Sequence, residues 1–209
     1  MMRSRAGLVV GAFVLVILSA CRTVPPPAPV AGPGADAPWP EQRERLQTLD
    51  RYSLNGRVAV AANGQGFTAS LRYEQLPDES NLALDGPLGI GGLRVRLEGE
   101  DLRIETSRGD KLDGVAARDE LERRLGFPLP VAELRWWLLG IPAPGGDATT
   151  RMDIATHEIT RFVQRGWMVT LEKRVPALGF SLPQKLTAER TAAEGEVARL
   201  KLVVERWQP

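Results

Sequence analysis

Cysteine and histidine are almost missing from this chain, with one of each in 209 residues. A single cysteine cannot close an intrachain disulfide, so no disulfide framework holds the fold. His157 and Cys21 alone supply no zinc-binding set, and one histidine argues against a Ser-His-Asp type of triad. Neither G-x-S-x-G nor H-E-x-x-H occurs, so the usual hydrolase nucleophiles and bases have no motif to carry them. No sign of charge dominates, with 27 Lys and Arg against 26 Asp and Glu. The basic surplus typical of nucleic-acid partners is therefore absent. Long hydrophobic runs are absent too. The apolar stretch from Ala6 to Leu18 is shorter than the ~20 residues a spanning helix needs.

What is present begins at the N-terminus. Arg3 and Arg5 precede that apolar stretch, and Leu18-Ser19-Ala20-Cys21 follows it. A short basic region, a 7–15-residue apolar region and small residues before a cut describe an export signal. Cys21 then offers the thiol for a diacylglyceryl thioether, which predicts a lipoprotein precursor cleaved before Cys21. Residues 1–20 are the expected signal peptide. Their removal leaves 189 residues with 25 basic and 26 acidic side chains. Residue 22 is Arg rather than the Asp that retains lipoproteins in the inner membrane of enteric-type bacteria. The expectation is an outer-membrane anchor facing the periplasm.

Residues 21–38 carry CRTVPPPAPVAGPGADAP, a Pro/Gly-rich tether that stays extended and buries little. A single domain is expected over 39–209, a length that suits one core. A helix is predicted from Pro40 to Arg51. The pattern then changes to period two: Val58 and Val60 share a face, and Phe67, Ala69, Leu71 and Tyr73 alternate with polar residues. Asn63-Gly64 between them is a hairpin signal. Leu82 and Leu84, then Leu93, Val95 and Leu97, then Leu102 and Ile104 continue the meander. Ala117–Leu125 reads as a helix stopped by Gly126, and Val131–Leu139 as a second, followed by a Pro/Gly loop over 142–149. Strands return at 157–164, 167–174, 182–190 and 199–208. The predicted class is α+β, mainly β: a curved antiparallel half-open barrel with helices over its mouth. Periodicity leaves open whether its interior is filled or hollow.

Six segments resemble the LolB family in order and spacing: Tyr52-Ser53-Leu54-Asn55-Gly56-Arg57, Gly86-Pro87-Leu88-Gly89, Leu134 to Pro142 (LRWWLLGIP), Gln164 to Val169 (QRGWMV), Leu182-Pro183-Gln184-Lys185-Leu186, and the terminal Trp207. Leu129-Pro130 fits between them. The likeness covers the whole expected domain, and it departs at Tyr52 and Tyr73, where Trp is frequent, and at the end of the strand from Leu171 to Arg174. The resemblance implies an apolar cavity for acyl chains, no catalytic step and no cofactor. It also implies an outer-membrane receptor that takes acylated lipoproteins from a LolA-like periplasmic carrier and passes them to outer-membrane lipid.

On that basis Val58, Val60, Phe67, Leu71, Leu82, Leu84, Val95, Trp137 and Trp167 are assigned to the cavity wall, with ordinary packed core as the alternative for each. Leu88 and Ile90 lie between glycines that cannot hold them in a strand. By resemblance, the matching leucine projects into solvent and helps place acyl chains in the membrane. Arg57 is read as facing water, His157 as a surface residue, and only one of Trp136 and Trp137 as pointing inward. The chain is expected to act as a monomer. Two other readings stay open: a structural outer-membrane scaffold, and a carrier of another hydrophobic ligand.

Overall fold

The computed structural model describes residues 37–86, 91–191, 195 and 197–209. Cys21, Leu88 and Ile90 lie outside the described residues. Helix α1 (Trp39–Gln47) precedes six strands: β1 (Tyr52–Ala62), β2 (Gln65–Leu76), β3 (Glu79–Asp85), β4 (Leu93–Glu98), β5 (Asp101–Thr106) and β6 (Lys111–Asp113). Helix α2 (Gly114–Leu125), a 3-10 turn (Val131–Glu133) and α3 (Leu134–Leu138) come next. The chain ends in β7 (Ala148–Met152), β8 (Ile159–Gln164), β9 (Trp167–Ala177), β10 (Phe180–Thr191) and β11 (Val197–Gln208).

All eleven strands join one antiparallel sheet in the order β6-β5-β4-β3-β2-β1-β11-β10-β9-β8-β7. Its two edges, β6 and β7, do not pair with each other, so the barrel stays open. Alternation drives the pairing. Tyr52, Leu54, Val58 and Val60 face inward from β1, and the register sets Val58 opposite Ala69 on one side and Leu202 on the other. A slip of one residue would turn these side chains to water. Asn63 and Gly64 both have positive φ, 53° and 71°, which is the twist a two-residue hairpin requires. Gly56 serves a different need. A β-carbon there would lie 2.4 Å from the Val203 carbonyl oxygen, at the register shift between β1 and β11.

The register also gives the sheet two distinct ends. The Asn63-Gly64 turn, Gly86, Gly91, the 107–110 turn and Arg165-Gly166 lie at one end. The 77–78, 99–100, 153–158 and 178–179 turns lie at the other, beside α1. Here Arg174 stacks over Trp39 at 4.4 Å, and the Ser181 amide donates to Gln42 Oε1 at 2.9 Å.

Three expectations change. α1 stops at Gln47 rather than Arg51, because the chain must extend before entering β1. The segment 131–139 is a 3-10 turn and a five-residue helix, not one helix. β7 occupies part of the expected 142–149 loop, so the sheet is wider than its apolar pattern indicates.

Candidate functional site

The inward face of the sheet is covered by α2 and by the segment running through α3. Ala117, Leu121 and Leu125 repeat every four residues on α2, and all three are buried. That spacing places them on one stripe. Gly126, with φ 81°, ends the helix, and its amide bonds the Glu122 carbonyl at 2.7 Å.

Between sheet and helices lies a small cavity of about 50 Å³ whose lining carries no polar side chain save the indole edge of Trp137. The sheet supplies Val58, Val60, Leu71, Leu82, Leu84, Val95, Leu186, Ala188, Leu200 and Leu202. The covering segment supplies Leu121, Leu125, Leu129, Val131, Leu134, Trp137 and Leu138. Seven of the nine residues assigned to the wall from sequence therefore meet here. Phe67 and Trp167 do not. Phe67 is 39% exposed and lines a separate depression of about 250 Å³ with Leu84, Gly86, Gly91, Leu93 and Leu125. Trp167 is fully buried behind Trp137, against the edge of Phe127. Period two fixes the face of a strand residue, but not how far the helices extend over it.

The cover is tied down at three places. The Tyr52 hydroxyl donates to the Arg135 carbonyl. Trp137 Nε1 donates to Gln164 Oε1 at 2.9 Å, and the same oxygen accepts the Ala143 amide at 2.9 Å while Gln164 Nε2 donates to the Ala143 carbonyl. Outside, Arg165 pairs with Glu133 at 2.9 Å. Burial pushes the Tyr52 phenol well above its ordinary range, with neighbouring Tyr73 adding to the effect. Burial likewise pushes Tyr73 up to about 12. Both stay protonated and serve as donors; Tyr73 bonds Gln75 Oε1 at 2.6 Å. Gln164 and Tyr52 stand in segments that resemble the family, but sequence reasoning gave neither a part in tying down the cover. Their signal was a polar atom at a buried parity of a strand, which must be satisfied once covered.

Several smaller expectations can be placed. Arg57 pairs with Glu205 at 2.7 Å on the exposed face. Trp137 points inward, whereas Trp136 is half-buried beneath the Arg135 guanidinium at 4.7 Å. His157 is exposed, within the turn before β8. Among the described residues, no group of three or more His, Cys, Asp or Glu is placed to hold a metal.

The family model for outer membrane lipoprotein LolB matches residues 50–207. The chain belongs to the LolB family. The outer-membrane lipoprotein LolB of Stutzerimonas stutzeri is 31% identical over 93% of this chain and 91% of its own length. That of Nitrosococcus oceani is 30% identical over 93% of each. Among solved structures, a LolA superfamily protein from Nitrosomonas europaea superposes with a TM-score of 0.50 at 12% identity, covering 81% of this chain and 92% of the other. A DUF1329 family protein from Desulfovibrio piger also gives 0.50, at 8% identity, over 80% and 89%. These likenesses carry the fold alone: an open β-barrel with helices across it, as LolB-family membership leads one to expect.

Proposed function

We propose that this LolB-family chain is an outer-membrane lipoprotein that receives acylated lipoproteins from a periplasmic carrier and delivers them to the outer membrane. The observation that carries the reading is the apolar seam between sheet and helices. An acyl chain of ~15 methylenes gains ~12 kcal/mol from burial at about 0.8 per CH₂. Cargo with two or three such chains cannot cross water freely, so it must pass from one apolar enclosure to another. Nothing but a graded preference (carrier, then receiver, then bilayer) is needed to drive it, and no catalytic step is proposed.

Ligand-holding pockets usually enclose ~300–1,000 Å³. At about 50 Å³ the seam is shut, and loading requires the α2–α3 cover to lift. The cover is suited to that motion, because its contacts with the floor are apolar and its polar ties are few. Val58, Val60, Leu71, Leu82, Leu84, Val95 and Trp137 form the acyl-facing wall, and Phe67 lies at the rim. In this reading residues 1–20 are removed, Cys21 is acylated, 21–38 form the tether, and Leu88 and Ile90 enter the headgroup layer.

Depletion of the protein in cells is the direct test. Lipoproteins should accumulate in the periplasm, and finding them correctly placed in the outer membrane would overturn the reading. Native extraction followed by mass spectrometry separates a carrier, which brings acyl chains with it, from a scaffold, which does not. Leu88→Glu should slow delivery to the bilayer while leaving uptake from the carrier intact; an unchanged delivery rate would remove Leu88 from the mechanism.

A further inference from the structure

The end of the sheet opposite Gly86 and Gly91 carries an unusual surface. Ile154 is 94% exposed and Met152 is 50% exposed, at and just before the turn joining β7 to β8. The turn is held closed. Asp153 Oδ1 accepts the amides of Ala155 and Thr156, each at 2.9 Å, and the Asp153 amide donates to the Glu158 carbonyl at 2.9 Å. A protruding isoleucine on a fixed turn cannot fold back to hide itself.

Directly beside it, Arg151 and Arg161 face each other across the β7–β8 ladder. Both are exposed, and neither has an ion-pair partner among the described residues. Like charges directly opposite one another destabilise a sheet, so folding gives no reason for the pair. The two carboxylates of this segment are turned elsewhere: Asp153 caps the turn, and Glu158 accepts from Ser181 at 2.6 Å and lies 3.8 Å from Arg174. What faces outward is an apolar tip flanked by two uncompensated guanidiniums, the composition that suits a phospholipid headgroup layer.

The described chain begins at the same end. Glu158 and Arg174 join the turn to Trp39, the first residue of α1. The segment back to Cys21 therefore enters the domain at this end. Cys21 to Pro38 is a stretch of eighteen residues, which spans at most about 60 Å when fully extended. The longest strands, of 12 residues, measure about 40 Å.

We infer that the Ile154 turn, with Met152, Arg151 and Arg161, is a second membrane-contact site that rests on anionic phospholipid headgroups and holds the opposite end of the barrel, the end of Gly86 and Gly91, toward the periplasm. The inference rests on the lipid-anchored reading above. It makes the receptor two-ended. In the waiting pose the tethered end sits on the bilayer and the end of Gly86 and Gly91 meets the carrier, and the tether is long enough for the domain to turn over and deliver.

The test uses the acylated, full-length mature protein in vesicles of phosphatidylethanolamine and phosphatidylglycerol. With the Cys21 thiol blocked by acylation, Ile154→Cys provides a unique site for a fluorescent label, and Ser70→Cys on the exposed sheet face provides the comparison. A several-fold lower iodide quenching at position 154 than at 70, with quenching at 154 by lipid-borne nitroxides, is the expected result. Arg151→Glu with Arg161→Glu, or vesicles of phosphatidylcholine alone, should restore iodide access at 154. Equal access at the two positions would overturn the inference. So would protection that ignores both the charge reversal and the lipid charge, or protection that arises only when the carrier protein is added. Lipoprotein transfer measured on the same vesicles keeps the two readings apart: transfer with an unprotected position 154 sinks only this inference, and protection without transfer sinks only the receptor reading.

Discussion

Gln164 is the polar residue on which the cover most depends, and replacing it with leucine is a demanding test. The side chain is 2% exposed and makes three bonds of 2.9 Å, to Trp137 Nε1 and to both backbone groups of Ala143. Gln164→Leu keeps the bulk and strands all three partners. A buried group left unpaired costs about 1–3 kcal/mol. Water can reach the neighbouring 144–147 loop, which is exposed, so the low end of that range applies and the loss should be about 3–4 kcal/mol. For a domain of this size that lowers Tm by roughly 8–15 °C. Gln164→Glu should lose less at pH 4 than at pH 8, because a protonated carboxyl can still donate to the Ala143 carbonyl. Thermal and urea unfolding followed by circular dichroism, with Trp fluorescence as a second probe, would measure both. If Gln164→Leu melts within about 2 °C of wild type (under 1 kcal/mol, by the same scaling), the account of how the cover is tied is wrong.

Other consequences are open to measurement. Gly56→Ala forces a β-carbon to within 2.4 Å of the Val203 carbonyl oxygen; the strands must part, costing about 1–3 kcal/mol, and urea midpoints will show it. Trp137→Ala should cost about 3–5 kcal/mol and enlarge the seam, so binding of an apolar dye such as ANS should rise at 25 °C; unchanged dye binding would mean the neighbours collapse into the space. Glu172, hydrogen-bonded by Lys185 and Thr187, and Glu120, held by Arg124 and Arg123, both titrate below the ordinary value of 4.5. Their contribution is complete above pH 4.5 and is lost as pH falls through the folded values, so Glu172→Gln should flatten the acid limb of stability against pH.

The floor of the site was legible because a curved sheet needs one apolar face, and Val58, Val60, Leu71, Leu82, Leu84 and Val95 repeat at period two. The same parity includes Phe67, yet Phe67 lies where the cover ends, and strand periodicity says nothing of that boundary. Trp167 shares the inward face but is packed against Trp137 and Phe127 and does not line the cavity. β6 and β7 escaped notice because Lys111–Asp113 and Ala148–Met152 bury almost nothing. Their strand form comes from the hydrogen-bonding edge that a neighbour offers, a tertiary cause with no local pattern. The cover was only half visible: the stripe on α2 and Gly126 were plain, whereas the ties that hold the α3 segment come from Tyr52 and Gln164, partners far away in sequence. Gly56 belongs to the Tyr52–Arg57 segment that resembles the family, and its physical reason, the close approach of Val203, emerged only from the pairing of β1 with β11.

A lining of hydrocarbon has a limited vocabulary. Without donors, acceptors or charges it cannot tell one fatty tail from another by anything except bulk and length, nor can it read the polypeptide attached to that tail. Whatever tells one lipoprotein from another must therefore act outside this lining, on the polypeptide and not on the tail.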